Sequence, residues 1–221
     1  MKFAVIVFPG SNCDNDSFYV LKNILNVSVD FVWHKETDLS KYDVIVIPGG
    51  FSYGDHLRAG AIARFSPIMT EVVNSSKKGK PIIGICNGFQ VLTESGLLPG
   101  SLMVNKTVKF ISKNIRLITC NKNSIFTRNI NNSQTLEMPI AHKQGNFCAD
   151  KKTINFLEDN DLIAFKYSKG SNLNGSINDI AGVMNKQKNV LGMMPHPERA
   201  SDSILGNRNG IKIFESILGS G

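Results

Sequence analysis

A single cysteine stands between two glycines where an apolar run gives way to a helix-like segment. The stretch G-I-C-N-G occupies 84–88, and Cys86 at its centre directly follows the apolar run 81–85. Small residues on both sides allow a strand and a helix to pack closely around a strained turn, as in a nucleophile elbow. At a helix start, unpaired N–H groups and the helix dipole favour a thiolate, and the Asn87 N–H is the predicted first oxyanion donor. A tight turn around a buried structural cysteine fits the same pattern, so other residues must decide.

A thiolate that takes part in acyl transfer needs a positioned imidazole as its base, and His196 is the candidate. His196 lies in M-M-P-H-P-E-R-A, directly after the apolar run 189–194, so it is predicted to emerge at a strand end like Cys86. Glu198 follows two residues later, and in an extended segment its carboxylate can hold the imidazole in the required tautomer. The alternative is a surface loop with an exposed histidine and glutamate. Of the other histidines, His34 is predicted to be structural or exposed after a strand, and His56 and His142 are predicted to lie in polar loops.

A second oxyanion donor is expected from another loop at a strand end. The stretch I-P-G-G-F-S-Y-G-D at 47–55 is the candidate, because two adjacent glycines permit the backbone conformation that turns an N–H toward a pocket. Gly50 is the first choice and Gly49 the second. A plain tight turn remains the alternative for either glycine taken alone.

Short apolar runs rich in Val and Ile alternate with helical segments along the first half of the chain. Runs of this kind are typical of strands buried on both faces of a parallel sheet. Because the carboxyl ends of such strands meet at one edge, the glycine loops and Cys86 are predicted to gather there. The predicted strands lie at 3–8, 29–34, 42–47 and 81–85, and the predicted helices at about 16–26, 57–76 (kinked or divided at Pro67), 87–95 and in the C-terminal stretch 210–220.

The pattern predicts an α/β fold with a doubly wound, mostly parallel sheet, helices on both faces and small antiparallel β additions. The additions come from the second half, where apolar runs are separated by Asn-rich turns and where 178–183 and 189–194 suggest a hairpin. No repeat or low-complexity linker interrupts the chain, so one domain over residues 1–221 is predicted. The further β segments are predicted at 107–111, 115–120 and 162–168.

Composition narrows the class of protein further. The net charge of +7 could favour anionic substrates or an acidic partner, but the lysine groups lack the interleaved aromatic residues of a nucleic-acid platform, so no nucleic-acid role is expected. No apolar run is long enough for a membrane span, and no cleavage site follows the N-terminal run. The four scattered cysteines form no C-x-x-C pair, which argues against a zinc site and favours a reducing, cytoplasmic location.

Five segments carry a resemblance to a known family. The chain resembles the class I (triad-type) glutamine amidotransferases, and within them the glutaminase subunits of phosphoribosylformylglycinamidine synthase. The cysteine elbow and the His-Pro-Glu ending are similar to class I glutaminases in general, and the stretches 8–14, 49–63 and 193–200 to the purine subunits. The segments are F-P-G-S-N-C-D-N-D at 8–16, P-G-G-F-S-Y-G-D-H-L-R-A-G-A-I-A at 48–63, 84–100, P-I-A-H-K-Q-G-N-F at 139–147 and 189–200.

The resemblance implies a reaction in which Cys86 attacks the side-chain amide of glutamine, forms a thioester, and releases ammonia and then glutamate. His196 would act as base and then as acid, with Glu198 orienting it. Gly49, Phe51 and Gln90 would contact the glutamine. Ammonia would pass to a separate, larger synthetase subunit that uses ATP and magnesium on formylglycinamide ribonucleotide, with a small bridging subunit in the same complex. No cofactor or metal is expected on this chain.

The resemblance is imperfect at three places. His56 stands where the family usually has a tyrosine, Lys188 replaces a hairpin glycine, and the third departure is in the segment 139–147. Lys143 and Gln144 stand where the family often has a glycine and a glutamate, so contacts of this loop with the synthetase or with glutamine would differ. Other interpretations also remain: a cysteine hydrolase acting without a partner, a non-catalytic regulatory module, a free glutaminase, or a subunit that feeds another synthetase. An intact Cys86, His196 and Glu198 argues against the regulatory module, and Asn87 directly after the cysteine argues against the hydrolases.

Overall fold

The fold is built on a nine-stranded sheet and a separate two-stranded sheet. The computed structural model describes residues 1–131 and 134–219, and all counts of elements refer to these residues. The strands are β1 (Lys2–Val7), β2 (Ser28–Trp33), β3 (Val44–Ile47), β4 (Ile82–Ile85), β5 (Ser101–Val104), β6 (Ile111–Thr119), β7 (Thr135–His142), β8 (Gln144–Cys148), β9 (Ile163–Tyr167), β10 (Ile180–Met184) and β11 (Val190–Met193). The large sheet has the order β2-β1-β3-β4-β11-β10-β9-β6-β7, and β5 pairs with β8.

One half of the large sheet is parallel. Strands β2, β1, β3, β4 and β11 pair side by side in parallel. Every residue of β3, β4 and β11 is buried, which is why these short runs form continuous apolar segments and not alternating ones. The predicted α/β class with a parallel sheet is confirmed.

Helices connect and cover these strands. They are α1 (Asp14–Tyr19), continued by a π-helical turn at Val20–Ile24, α2 (Pro67–Lys77), α3 (Asn87–Glu94), α4 (Lys151–Asp159) and α5 (Ile211–Leu218). Pro67 is the first residue of α2, a position where a missing N–H costs no helical hydrogen bond. The predicted helix over 57–76 is therefore halved, because residues 57–66 form turns and a short 3-10 helix at Ala63–Phe65. Within the described chain, no helix is long and apolar enough to cross a membrane.

The other half of the large sheet is antiparallel. The predicted hairpin is confirmed as β10 and β11, and β9, β6 and β7 continue the sheet in alternating directions. Sequence patterning missed β5, β7, β8 and α4. In β7 the cause is Pro139, which lowers the strand signal but is tolerated because β7 is an edge strand.

The antiparallel half bends back over the carboxyl ends of the parallel strands. In a flat sheet β7 would lie about 19 Å from β11, at about 4.8 Å for each of the intervening steps. Instead, the Pro139 carbonyl of β7 accepts a hydrogen bond from the His196 N–H at 2.9 Å, just after β11. The curvature makes the end of β7 a wall over the edge where Cys86 lies. The single-domain prediction over 1–221 includes 132, 133, 220 and 221, which lie outside the described residues, and it stays a prediction.

Candidate active site

Cys86 occupies the turn between β4 and α3 in a strained backbone conformation. Its φ of 50° and ψ of −103° lie outside the regions that non-glycine residues normally adopt. A side chain at Gly88 would overlap the Ile47 carbonyl oxygen, and a Cβ at Gly84 would lie 2.7 Å from the Gly88 carbonyl carbon. Both glycines are therefore required for the close approach of strand and helix. The predicted elbow geometry is confirmed.

His196 and Glu198 form a buried pair after β11. The His196 Nδ1 lies 2.6 Å from Glu198 Oε1, and each residue is 1% exposed. The carboxylate accepts the Nδ1 proton, so Nε2 is the nitrogen that can exchange a proton at the site, and it has no hydrogen-bond partner among the described residues. Burial acts to lower the pKa of His196, but the charges of Glu198 and Cys86 and the nearby thiols raise that pKa well above its usual value.

Sheet register brings Cys86 and His196 to the same edge. In the parallel pairing of β4 with β11, Ile85 lies opposite Met193, and the Cys86 N–H donates to the Met193 carbonyl at 2.8 Å. Gly49 fills the space beside both side chains. A Cβ on Gly49 would lie 2.8 Å from His196 Cε1 and 3.4 Å from Cys86 Cβ. Gly49 thus packs against the Cys–His pair, which requires glycine at this position.

Gly50 and Asn87 present backbone N–H groups near Cys86. Asn87 is the first residue of α3, and Gly50 lines the same cavity as Cys86. Neither N–H donates to an acceptor within residues 1–131 and 134–219. Gly50 has a φ of +139°, and a Cβ there would lie 2.8 Å from the Asn12 nitrogen, so only glycine fits. The predicted oxyanion role of the two N–H groups stays a prediction.

A cavity of about 220 Å³ opens in front of Cys86. Phe51 and Gln90, two of the predicted glutamine contacts, line it, whereas Gly49 does not. Both polar ends of Gln90 are engaged: Oε1 accepts from Asn87 Nδ2 at 2.9 Å, and Nε2 donates to the Gln144 carbonyl. Gln90 therefore joins α3 to the start of β8 while forming part of the wall. The assignment of these residues to glutamine binding stays a prediction.

The Asn87 side chain has a role that the sequence did not indicate. Its Oδ1 accepts from the Ser52 N–H at 3.1 Å, and its Nδ2 donates to Asp55 Oδ1 at 3.3 Å as well as to Gln90. Asn87 thus fixes the loop after Gly50 to the start of α3. No local sequence signal could reveal it, because Asn87 and Asp55 are 32 residues apart.

His142 is not in a polar loop, as predicted, but is the buried last residue of β7. Asn105 Nδ2 donates to the Lys109 and His142 carbonyls, which turns Asn105 Oδ1 toward His142 Nδ1 at 3.1 Å. Nδ1 must then carry the proton, and Nε2 is an acceptor with no partner in the described chain. Burial, with the nearby His196, lowers the pKa of His142 to about 3, so the ring is neutral. The neighbouring K-Q-G sequence is polar, but β7 and β8 bury the ring between them.

Cys13 is a second thiol beside His196. Its Sγ accepts from Arg199 Nη2 at 3.1 Å, and Arg199 Nε donates to Asp16 at 3.0 Å. The ligand atoms of Cys13, His196 and Glu198 lie within 4.8 Å of one another. Because Glu198 already bonds His196 Nδ1 and a guanidinium contacts Cys13, these side chains are better arranged for proton transfer than for binding a metal cation.

The remaining histidines lie outside this group. His34 is buried and pairs with the Tyr53 hydroxyl at 2.9 Å, whereas His56 is exposed. Together the geometry provides a thiol on an elbow, an imidazole oriented by a carboxylate, two backbone N–H groups and a small polar-ended cavity. Such a site can transfer the acyl group of a carboxamide through a thioester.

Comparison with known proteins gives matches over nearly the whole chain. The CobB/CobQ-like glutamine amidotransferase domain matches residues 1–213. Phosphoribosylformylglycinamidine synthase subunit PurQ from Trichormus variabilis is 54% identical over 218 residues, covering 99% of this chain and 97% of the relative. The same subunit from a Nostoc species is equally similar, at 54% over 218 residues. The structure of PurLQS from Thermotoga maritima matches with a TM-score of 0.89 and 40% identity over 99% of this chain and 97% of that chain.

Proposed function

The chain belongs to the CobB/CobQ-like glutamine amidotransferase family, and from this premise we propose that it is the glutaminase subunit of a phosphoribosylformylglycinamidine synthase. It hydrolyses L-glutamine to glutamate and ammonia and delivers the ammonia for synthesis of formylglycinamidine ribonucleotide in purine biosynthesis. The observation that carries the proposal is the strained Cys86 elbow beside the buried His196–Glu198 pair. The identity of 54% to PurQ subunits supports the assignment to this synthase.

The reaction follows from the roles of three side chains. The Cys86 sulfur attacks the side-chain carbonyl carbon of glutamine, and the oxygen becomes negatively charged while the Gly50 and Asn87 N–H groups donate to it. The C–N bond then breaks, and His196 gives its Nε2 proton to the departing ammonia, which leaves a thioester on Cys86.

Water completes the cycle. The neutral His196 takes a proton from a water molecule, and the resulting hydroxide attacks the thioester carbon through a second oxyanion. Breakage of the C–S bond releases glutamate and restores the thiolate–imidazolium pair. Glu198 holds the ring in one orientation in both halves and stabilises the imidazolium when it forms.

The ammonia is used on another chain in this proposal. A large synthetase subunit holds ATP, magnesium and formylglycinamide ribonucleotide, a small bridging subunit completes the complex, and this chain holds no cofactor. The similarity to a chain of the PurLQS structure supports a multi-subunit complex. The four cysteines are free thiols, which supports a cytoplasmic location.

Substitution of the nucleophile separates glutamine use from synthesis. With Cys86→Ala in the assembled complex, glutamine-dependent synthesis should fall about a thousandfold or more, because the thioester cannot form. Synthesis from added ammonium salt should persist, since that chemistry lies on the synthetase chain. The measurement is product formation with ATP, formylglycinamide ribonucleotide and either nitrogen source.

Cys148→Ala, at the end of β8, is the matched control and should retain both activities. An equal fall of glutamine-driven and ammonium-driven synthesis in Cys86→Ala would contradict the proposal, because Cys86 would then act structurally. Glutamine hydrolysis without transfer to any product in the complex would instead favour a free glutaminase.

A further inference from the structure

We infer that the Asp55 carboxylate receives the α-ammonium group of the glutamine substrate. The inference rests on the proposed glutaminase function and identifies the residue that recognises the substrate as an amino acid. It concerns the end of glutamine away from the bond that breaks. Asp55 is therefore a specificity-determining residue and takes no part in proton transfer at the carboxamide.

The substrate imposes a charge requirement on the cavity. When the side-chain carbonyl carbon of glutamine lies against the Cys86 sulfur, only Cβ and Cγ separate that carbon from Cα. The α-ammonium and α-carboxylate must then lie within the same cavity or at its mouth. An ammonium removed from water needs acceptors, and a carboxylate satisfies it better than neutral oxygens do.

The cavity in front of Cys86 carries one group of each sign. Asp55 is the only carboxylate and Lys143 the only amine among the described residues that line it. This arrangement complements a zwitterion. A cavity for an uncharged amide would have no reason to contain either charge.

The surroundings of the Asp55 carboxylate favour the binding of a cation. Within the part of the chain that the structure describes, no basic group lies within ion-pair distance of it, and its one hydrogen bond is the long contact from Asn87 Nδ2 at 3.3 Å. Burial raises the pKa of Asp55 to about 6, and the hydrogen bond from Asn87 acts in the opposite direction. A desolvated carboxylate of this kind is stabilised when an ammonium arrives.

The other acceptors near the cavity are less suitable. Gln90 Oε1 is already bonded to Asn87, and its Nε2 to Gln144. His142 Nε2 accepts no hydrogen bond from the described residues, but it belongs to a neutral ring. Neither supplies the negative charge that an ammonium requires.

Asn87 connects the two parts of the site that would bind the two ends of the substrate. Its backbone N–H faces the predicted oxyanion, and its side chain holds both Asp55 and the Ser52 N–H. The loop from Ser52 to Asp55 is strained, because Tyr53, Gly54 and Asp55 all have positive φ values, of 54°, 69° and 53°. The Tyr53 hydroxyl fixes this strained loop through contacts to His34 and Ser66 at 2.9 and 2.8 Å.

The test compares glutamine with 4-carbamoylbutanoate, which is glutamine without its α-amino group, as nitrogen sources for the assembled complex. The wild type should prefer glutamine in kcat/KM. Asp55→Asn keeps the size of the side chain and an acceptor for Asn87. It should lower kcat/KM for glutamine about tenfold to a hundredfold, mainly through KM, and change that for the des-amino compound by less than about twofold.

Two controls separate recognition from damage. Glu36→Gln, an exposed carboxylate outside the cavity, should leave the preference for glutamine intact. Modification of Cys86 by iodoacetamide, which has no ammonium group, reports whether Asp55→Asn keeps an accessible thiol.

The inference would be overturned if Asp55→Asn lowered kcat/KM equally for both compounds, or if the wild type showed no preference for glutamine. Neither result would affect the proposed function, which is tested separately by the use of glutamine nitrogen in the wild-type complex and by the Cys86→Ala variant.

Discussion

At the scale of single residues, two buried thiols lie beside one imidazole and differ in their surroundings. Cys86 precedes α3 on a strained turn with a φ of 50°, whereas Cys13 precedes α1 with a φ of −98°. Burial raises the pKa of the Cys13 thiol, despite the nearby His196 and Arg199. Burial likewise raises the pKa of Cys120 and Cys148. Of the four cysteines, only Cys86 has a positive φ and lines the cavity of about 220 Å³, and these two features support its assignment as the nucleophile.

Ionisation of Asp55 should make kcat/KM depend on pH for glutamine but not for 4-carbamoylbutanoate. Its pKa of about 6 means that the carboxylate is charged above pH 6 and protonated below it. The ratio of kcat/KM for glutamine to that for 4-carbamoylbutanoate should therefore fall about tenfold between pH 7 and pH 5. Cys86, His142 and Lys143 also face the cavity, but both compounds meet these three groups in the same way, so their effects on kcat/KM cancel in the ratio.

Initial rates with both compounds across this pH range provide the measurement. In Asp55→Asn the ratio should be low and independent of pH. A wild-type ratio that stays constant from pH 5 to pH 7 would show that a charged Asp55 is not needed for recognition.

At the scale of elements, the elbow depends on the contact between α3 and the strands beneath it. Gly88→Ala would place a methyl group against the Ile47 carbonyl oxygen, a backbone atom that cannot rotate away. We expect a loss of at least about 2 kcal/mol in the free energy of unfolding and a large loss of glutaminase activity. Urea denaturation of the isolated chain measures the first quantity.

Gly79→Ala is the matched control. Gly79 has a φ of +80° but open space where a methyl group would lie, so only backbone strain should appear, about 1 kcal/mol. Similar losses in the two variants would mean that the packing of α3 on β3 does not limit the residue at 88.

At the scale of the whole molecule, the Gly49–Gly50 peptide connects the site to the loop at residues 10–13. The Gly49 carbonyl accepts from the Cys13 N–H at 3.3 Å, and the Phe51 N–H donates to the Gly10 carbonyl at 3.0 Å. Reorientation of the Gly50 N–H by peptide rotation would break only the first, longer bond. A docked synthetase subunit could supply the small free energy that this change requires.

We therefore expect the isolated chain to be a weak glutaminase. Binding of the synthetase with its nucleotide and substrate should raise turnover about a hundredfold to a thousandfold, which is what one aligned oxyanion donor contributes. Glutamate release by the chain alone and in the complex is the measurement. A free chain as fast as the complex would show a preformed oxyanion hole, while the Cys86–His196–Glu198 assignment would stand.

Local spacing in the sequence determined the elbow, the His196–Glu198 pair and the parallel strands. These features depend on neighbours two to four residues apart, and the physical requirement is visible in residue type: glycine for close approach, Val and Ile for burial on both faces. For this reason the sequence alone could place Cys86 and His196 at one sheet edge.

Only the tertiary structure decided the second set of contacts. Arg199 reaches Cys13 across 186 residues, Asn105 sets the tautomer of His142 across 37, and Asn87 holds Asp55 across 32. Pairs at such separations leave no periodic trace in the sequence, because each depends on sheet curvature and loop conformation. The bend that brings β7 over the strand ends arises from the accumulated twist and pairing of several strands, a property that no single segment encodes.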